Sequence, residues 1–386
     1  MTLEADTLKQ FLDMVRRFVK ERLVPLEADV AKNDRVPDAI KQEMRDLGLF
    51  GLSIPQEYGG LGLNMEEEAL VAFELGHASP AFRSVIGTNN GIGSQGLVMD
   101  GTGEQKASYL PRLATGELIS SFALTEPEAG SDAGSIRTSA RQDGDAYVLN
   151  GTKRFITNAP HAGLFTVFAR TEAPGETNGG VTAFLVEAGT PGLSLGKVDR
   201  KMGQSGSHTC DVIFEECRIP RSAVLGGRVG QGFKTAMKVL DRGRLHIAAF
   251  GVGVAERLIG DSLSYAMQRK QFGQPIAEFQ LIQAMLADSR AEAYAAKCMV
   301  METARAKDRG DNVSTEAACC KMFASEMVGR VADRAVQIHG GAGYMEEYGI
   351  ERIYRDVRLF RIYEGTTQIQ QILIARNMVK EAAAKA

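Results

Sequence analysis

One glutamate in this sequence stands on a glycine-bearing turn directly ahead of a helix, in Ile362-Tyr363-Glu364-Gly365-Thr366-Thr367-Gln368-Ile369-Gln370. A carboxylate that loses water beside an apolar pair such as Ile362-Tyr363 has its pKa raised and becomes a useful base. Thr367 and Gln370 also fit a capping box, so the same segment reads as a well-made helix start. A second segment, Ala123-Leu124-Thr125-Glu126-Pro127-Glu128-Ala129-Gly130-Ser131-Asp132-Ala133-Gly134-Ser135, gathers small, hydroxylic and glycine residues. It either turns backbone N–H and hydroxyl groups toward a closely approaching ligand or forms a polar turn closed by Asp132. A third, Gln337-Ile338-His339-Gly340-Gly341-Ala342-Gly343-Tyr344, bends after a helix and is read equally well as a glycine C-cap.

Other chemistries lack support. His77, His161, His208, His246 and His339 are scattered, and none has a metal-ligand partner at the usual spacing, so each is read as structural and no metal is expected. Gly251-Val252-Gly253 lacks the third glycine of a dinucleotide loop and follows a helical pattern, which disfavours nicotinamide.

The elements that must position these segments change character along the chain. Leu8, Phe11, Leu12, Val15, Phe18, Val19 and Leu23 recur on one helix face, with Asp6 or Thr7 as a cap and an end near Pro25. Pro37 to Leu49 and Glu66 to His77 are similar, with Pro55 and Gly59-Gly60 as breakers. From Ser120 the pattern becomes short and β-rich: Tyr147-Val148-Leu149, Phe165 to Ala169, Val181 to Val186 and Val212 to Phe214, with Asn150-Gly151 marking a hairpin. After Phe233 helical spacing returns through Met237, Leu240 and Leu245, and again from Leu281 to Met301. Helix, strand, helix without βαβ alternation argues against a doubly wound nucleotide fold. The expected organisation is an α-helical N-terminal domain over 1–119, a β-domain over 120–229 and a helical bundle over 230–386.

Composition narrows the function class. The chain has 386 residues, 44% hydrophobic and 24% charged, with 42 Gly and 11 Pro, as in ordinary globular proteins and unlike disordered or collagenous ones. Its net charge of -3 gives no global cationic field for nucleic acid. Five cysteines without regular spacing, no apolar run long enough to span a bilayer and no leader-like start fit a cytoplasmic protein without a membrane segment.

Taken together, the three segments resemble the acyl-CoA dehydrogenase family over essentially the whole chain. The resemblance implies an all-α N-terminal domain, a central β-barrel-like domain and a C-terminal four-helix bundle, assembled as a homotetramer or dimer with one FAD per subunit. It implies flavin contacts at Phe122, Leu124, Thr125 and Ser131, and at Phe155, Ile156 and Thr157. Many relatives carry Trp where this chain has Phe155, so an aromatic face is kept while an indole N–H is lost. Arg269, Phe272 and Gln280 match positions reaching FAD across the subunit interface, and Gln337, Gly341, Thr366 and Gln368 complete the implied set. Glu364 aligns with the catalytic base, which takes the α-proton while the β-hydride passes to the flavin. The base's own backbone N–H and a ribityl hydroxyl polarise the thioester carbonyl. One subgroup carries its base at the position of Gly243, which has no carboxylate here. Ser131, Asp241, Arg244 and Gly365 match substrate-binding positions, and electron-transfer flavoprotein is the implied acceptor.

Phe82-Arg83-Ser84 sits where relatives line the far end of the acyl pocket, and glutaryl-CoA dehydrogenases carry a similar Tyr-Arg-Ser. Arg83 then reads an acidic acyl group, or it is neutralised by Glu66, Glu67 or Glu68 or faces solvent. A short, medium or branched alkyl-CoA is the first expectation and a dicarboxylyl acyl-CoA the alternative. An acyl-CoA oxidase using oxygen and a non-catalytic CoA-binding protein are the remaining readings.

Overall fold

The computed structural model describes residues 3–171 and 180–385. Helices α1 (Ala5–Phe18), α2 (Glu27–Asn33), α3 (Asp38–Asp46), α4 (Met65–Leu75), α5 (Pro80–Asn90), α6 (Gln95–Asp100) and α7 (Gly103–Ala114) precede the first strand. The first helical stretch reaches Pro25 through a π turn at Val19–Leu23 and a 3₁₀ turn at Val24–Leu26. Its N-cap is Glu4, without a side-chain hydrogen bond, and not Asp6 or Thr7. α4 starts from a true capping box, in which Asn64 and Glu67 each accept the other's backbone N–H at 2.9 Å.

Strands β1 (Ser120–Ala123), β2 (Ser139–Asp143), β3 (Ala146–Thr157), β4 (Leu164–Thr171), β5 (Val181–Glu187), β6 (Leu193–Leu195) and β7 (Thr209–Pro220) form one curled sheet. β4 pairs in parallel with β1 through Leu164–Val167, with β2 at Arg170 and Thr171, and antiparallel with β5. The hairpin expected at Asn150-Gly151 is corrected: β3 runs through both residues. Gly151, at φ 146°, sits at a register shift against β7, and a Cβ there would lie 2.6 Å from Thr138 Oγ1. Its glycine serves close approach within a strand, and the turn falls one step earlier, at Gly144 (φ 61°) between β2 and β3.

α8 (Gly232–Gln268) opens the C-terminal region, followed by a hairpin of β8 (Lys270–Gln271) and β9 (Gln274–Pro275). Then come α9 (Gln280–Asp308), α10 (Ser314–His339), α11 (Gly341–Tyr344), α12 (Ile350–Val357) and α13 (Thr367–Lys385), with α8, α9, α10 and α13 as the long members. Val15, Phe50 and Phe82 from the first third share one buried cluster with Phe250, Val328 and Phe360 from the last third. Each such buried side chain contributes roughly 1.5–3 kcal/mol, so the two helical regions are held together by a common core. The sheet adds its own, around Phe165, Phe184 and Phe214. Among the described residues no helix is long and apolar enough to cross a membrane.

Gly251-Val252-Gly253 lies in the middle of α8, where it lets two helices touch. A Cβ on Gly253 would lie 2.1 Å from the Phe73 carbonyl oxygen of α4 and 2.9 Å from Gly76 Cα. Gly260, farther along the same helix, has nothing within 4 Å of its Cβ position. Gly253→Ala should therefore destabilise by about 1–3 kcal/mol through overpacking. Gly260→Ala should be neutral or stabilise by up to about 1 kcal/mol through helix propensity. Denaturant midpoints of the two variants check this contrast, and equal shifts would contradict it.

Candidate active site

Glu364 has a left-handed backbone, φ 56°, and Gly365 follows at φ 87°. Glu364 as a whole is half-buried, while its Oε2 is out of solvent and has no hydrogen-bond partner among the described residues. Burial pushes the carboxyl above its ordinary 4.5, and the charges of Arg83, Lys321 and Arg244 oppose that rise. The carboxylate lies over Gly243, whose Cβ position is 2.7 Å from Oε2. Glu364 and Gly243, the two positions at which the resemblance implies a base in different relatives, therefore lie against each other. Of the expected apolar pair, Tyr363 is half-buried and stacks on Phe360 at 5.8 Å, whereas Ile362 is exposed.

The helix start differs in detail from the Thr367–Gln370 box. Thr366 Oγ1 accepts the Ile369 N–H at 3.3 Å, and Thr367 Oγ1 donates to Glu326 at 2.7 Å. Gln370 Nε2 reaches back to the carbonyls of Glu364 (3.2 Å) and Gly365 (3.1 Å). The side chains thus secure the turn that carries the glutamate. Gln368 points to the exposed side.

Arg83, half-buried on α5, forms no hydrogen bond or ion pair among the described residues. Its guanidinium lies across Gly87, where a Cβ would sit 3.2 Å from Cζ. The expected neutralisation by α4 does not occur. Glu66 pairs with Arg305 (2.9 Å), Glu67 accepts the Asn64 and Leu3 N–H groups, and Glu68 is taken by Arg242 and by His246 Nε2 at 2.5 Å. Leu52, Val71, Ala72, Leu75 and Ile86 give the cavity in front of Arg83 apolar walls. His246, read from sequence as structural, also lines it. Burial and the guanidinium groups of Arg83 and Arg242 push that imidazole down to about 3, so it is neutral.

The second segment and β3 run side by side. Arg154 N–H donates to the Thr125 carbonyl at 2.8 Å, and Ser121 Oγ to the Thr157 carbonyl at 2.7 Å. Beneath them Lys153, wholly buried, donates to Glu126 at 2.7 Å and to the Leu124 carbonyl at 3.2 Å. Glu126 also accepts from the Arg137 and Thr138 backbone, at 2.6 and 2.9 Å. Asn158 Nδ2 then joins the end of β3 to α5, through the Ser84 carbonyl (2.7 Å) and Thr88 Oγ1 (2.9 Å). The helix bearing Arg83 is thereby tied to this segment.

Phe122, Leu124 and Ile156 are buried in apolar clusters. Thr125 and Thr157 are half-buried and Ser131 is exposed. Phe155 is different: its backbone is at φ 58°, the residue is 59% exposed, and Arg154 lies 5.1 Å from the ring centroid. A left-handed aromatic residue kept out of the core suits a flat ring laid against it. These residues fit the isoalloxazine of FAD.

A third group lies elsewhere in the chain. From Gly243 to the end of α8 at Gln268 is 25 residue steps, about 38 Å at 1.5 Å per residue. Arg269 and Phe272 follow on the β8–β9 hairpin, and Gln280 starts α9. Ile276 and Ile338 share a small cluster that joins this hairpin to the end of α10, where Gln337 and Gly341 are exposed. Phe272 is 94% exposed at φ 51°. One chain thus divides the expected flavin residues between two ends of the bundle. Arg244, buried, pairs with Asp241, which lines a separate cavity with Met65, Lys307 and Ser314.

Sequence reasoning missed Lys321, the Lys153–Glu126 pair and the Glu68–Arg242–His246 group. For Lys321 a signal existed: with Ala317, Ala324 and Val328 it falls on the buried stripe of α10.

Residues 5–117, 121–217 and 230–379 match the N-terminal, middle and C-terminal domain models of acyl-CoA dehydrogenase. The chain is 42% identical to acryloyl-CoA reductase (NADH) of Anaerotignum propionicum, over 98% of this chain and 95% of that protein. It is 40% identical to the CarC subunit of the caffeyl-CoA reductase-Etf complex of Acetobacterium woodii, covering 97% and 98%. An acyl-CoA dehydrogenase from Bacillus anthracis, solved in complex with FAD, superposes with a TM-score of 0.92 at 35% identity, covering 100% of this chain and 69% of that one. With all three domains matched, the chain belongs to the FAD-dependent acyl-CoA dehydrogenase family of oxidoreductases.

Proposed function

We propose that this protein removes hydrogen from the α- and β-carbons of an acyl-CoA thioester, with Glu364 as the base. The observation carrying this reading is the Glu364 Oε2 itself, buried and without a partner. A thioester α-proton is a poor acid, so its removal needs a base of raised pKa and a donor to the developing enolate oxygen. The Glu364 N–H, which no group among the described residues accepts, is such a donor on the same residue. When bound, FAD supplies the acceptor for the two electrons and the β-hydrogen that leave as hydride. The α-proton goes to the Glu364 carboxylate, and a trans-2-enoyl-CoA results. The same groups serve the reverse reduction, the direction for which two relatives are named.

Of the two acyl classes, Arg83 favours one that ends in an anion. A guanidinium left unpaired in a half-buried site is costly unless a ligand completes it. The apolar walls then hold the intervening methylenes, and nothing here requires decarboxylation. Electron-transfer flavoprotein as acceptor is supported by the relative that works in an Etf complex. Assembly into a homo-oligomer is supported by Phe272, Leu281 and Tyr344, which are 94%, 80% and 80% exposed.

Glu364→Gln should retain FAD and bind acyl-CoA while turnover is lost. Retention of more than about 1% of kcat, against the 10²–10⁴-fold that a general base supplies, would remove Glu364 from this role. In the wild type the acid limb of kcat/KM should lie above the ordinary 4.5 of a glutamate, because the carboxylate must be free of its proton to act.

Arg83→Ala should lower kcat/KM for glutaryl- or succinyl-CoA by about 30-fold or more relative to butyryl-CoA, the value of a buried charge pair. Anaerobic flavin bleaching across these thioesters reads the preference, and an equal loss for all three would return the assignment to alkyl substrates. Release of hydrogen peroxide in air would assign oxygen as the acceptor, and failure of every acyl-CoA to bleach the flavin would favour a non-catalytic binding protein.

A further inference from the structure

Lys321 is wholly buried on α10 and, among the described residues, forms no ion pair. Its one hydrogen bond goes to the Gly365 carbonyl. Lysines are almost never fully buried unless paired, since a desolvated ammonium costs several kcal/mol. Burial accordingly lowers its pKa to about 8, although the charge of Glu364 acts to raise it. A cation retained at that cost, against a single carbonyl, has a purpose other than stability.

The carbonyl it holds belongs to the turn that carries the base. Glu364 and Gly365 are consecutive left-handed residues, a conformation that costs a non-glycine residue roughly 1–2 kcal/mol. A Cβ at 365 would lie 2.5 Å from Gln370 Nε2, so a larger residue there would push that amide from the two carbonyls it now reaches. Gln370 holds the turn from α13, in sequence with it, whereas Lys321 is the grip from a different helix. Resting on the reading of Glu364 as the base, we propose that Lys321 is its positioning residue: by binding the Gly365 carbonyl from α10 it fixes the left-handed turn that sets the Glu364 carboxylate over Gly243.

Charge gives Lys321 a second effect on the same group. Arg83 faces Glu364 from α5, Arg244 from α8 with Asp241 bound to it, and Lys321 from α10. Glu326, also on α10, interacts with Lys321 but is engaged by Arg361 and Thr367. Tyr363 adjoins the carboxylate, and its hydroxyl is kept neutral by burial. Removing Lys321 subtracts one of the three cations that hold the carboxyl down against burial, so the carboxyl rises further.

Lys321→Met and Lys321→Gln separate the two effects. In Lys321→Met, with FAD content and thermal midpoint checked first, kcat should fall by about 10²-fold, the usual effect of misplacing a catalytic group by an ångström. KM should change little, and the acid limb of the kcat profile should move to higher pH. Lys321→Gln keeps a donor without the charge, so it should recover most of the rate while the acid limb stays displaced. If Lys321→Met does not fold, Lys321→Ala, which also lacks the donor, takes its place in the same kcat and pH comparison. Wild-type kcat in the folded variant without a donor, whatever its acid limb, would overturn the proposal. An active Glu364→Gln would overturn the underlying base assignment, whereas an inactive Glu364→Gln beside a wild-type-like Lys321→Met would overturn the role of Lys321 alone.

Discussion

A carboxylate with one oxygen out of water and no hydrogen-bond donor to it among the described residues is held at a cost, and much of the surrounding architecture bears on keeping it so. Desolvation drives Glu364 toward its protonated form. An oxygen that accepted two or three N–H bonds would be a weak base, and one in open solvent would be an ordinary acid. The fold avoids both by reaching the residue through a left-handed turn and laying its side chain over a glycine on a neighbouring helix. Cations from α5, α8 and α10 then limit the rise in pKa without donating to the free oxygen. The site needs three helices from two ends of the chain, and the shared core of Val15, Phe50 and Phe82 with Phe250, Val328 and Phe360 provides that rigidity.

The β-domain reaches the same site through a short series of polar contacts. Lys153 and Glu126 fasten the glycine-rich segment to β3, and Asn158 fastens β3 to α5. Both ionised partners are almost wholly excluded from solvent. Breaking such a pair costs far more than it contributes when intact, so it serves as a fixed register between segments rather than as a source of stability. The position of Phe155, two residues along β3 from Lys153, follows from that register.

Much of this was legible in the sequence, for identifiable reasons. Glu364, Gly365 and Thr366 are contiguous, as are Thr125 to Ser131, so short-range pattern is enough to find them. The helix, strand, helix order shows as a change of period. What escaped depends on distant partners: Lys321 meets Gly365 across 44 residues, and His246 meets Glu68 across 178. The fate of Arg83 was undecidable from composition, because three nearby glutamates offered to neutralise it. Only their commitments to Arg305, to backbone N–H groups and to Arg242 with His246 leave it without an ion-pair partner among the described residues. Gly151 misled because a glycine demanded by close strand packing looks, in one dimension, like a glycine demanded by a turn.

The contact between Gly243 and Glu364 has an evolutionary side. Because the Cβ position of residue 243 lies 2.7 Å from the carboxylate oxygen, a larger side chain there would have to shift the end of the glutamate side chain. The two locations are rivals for a single volume. A change of base from one position to the other would pass through a form in which both acids crowd that volume or neither fills it.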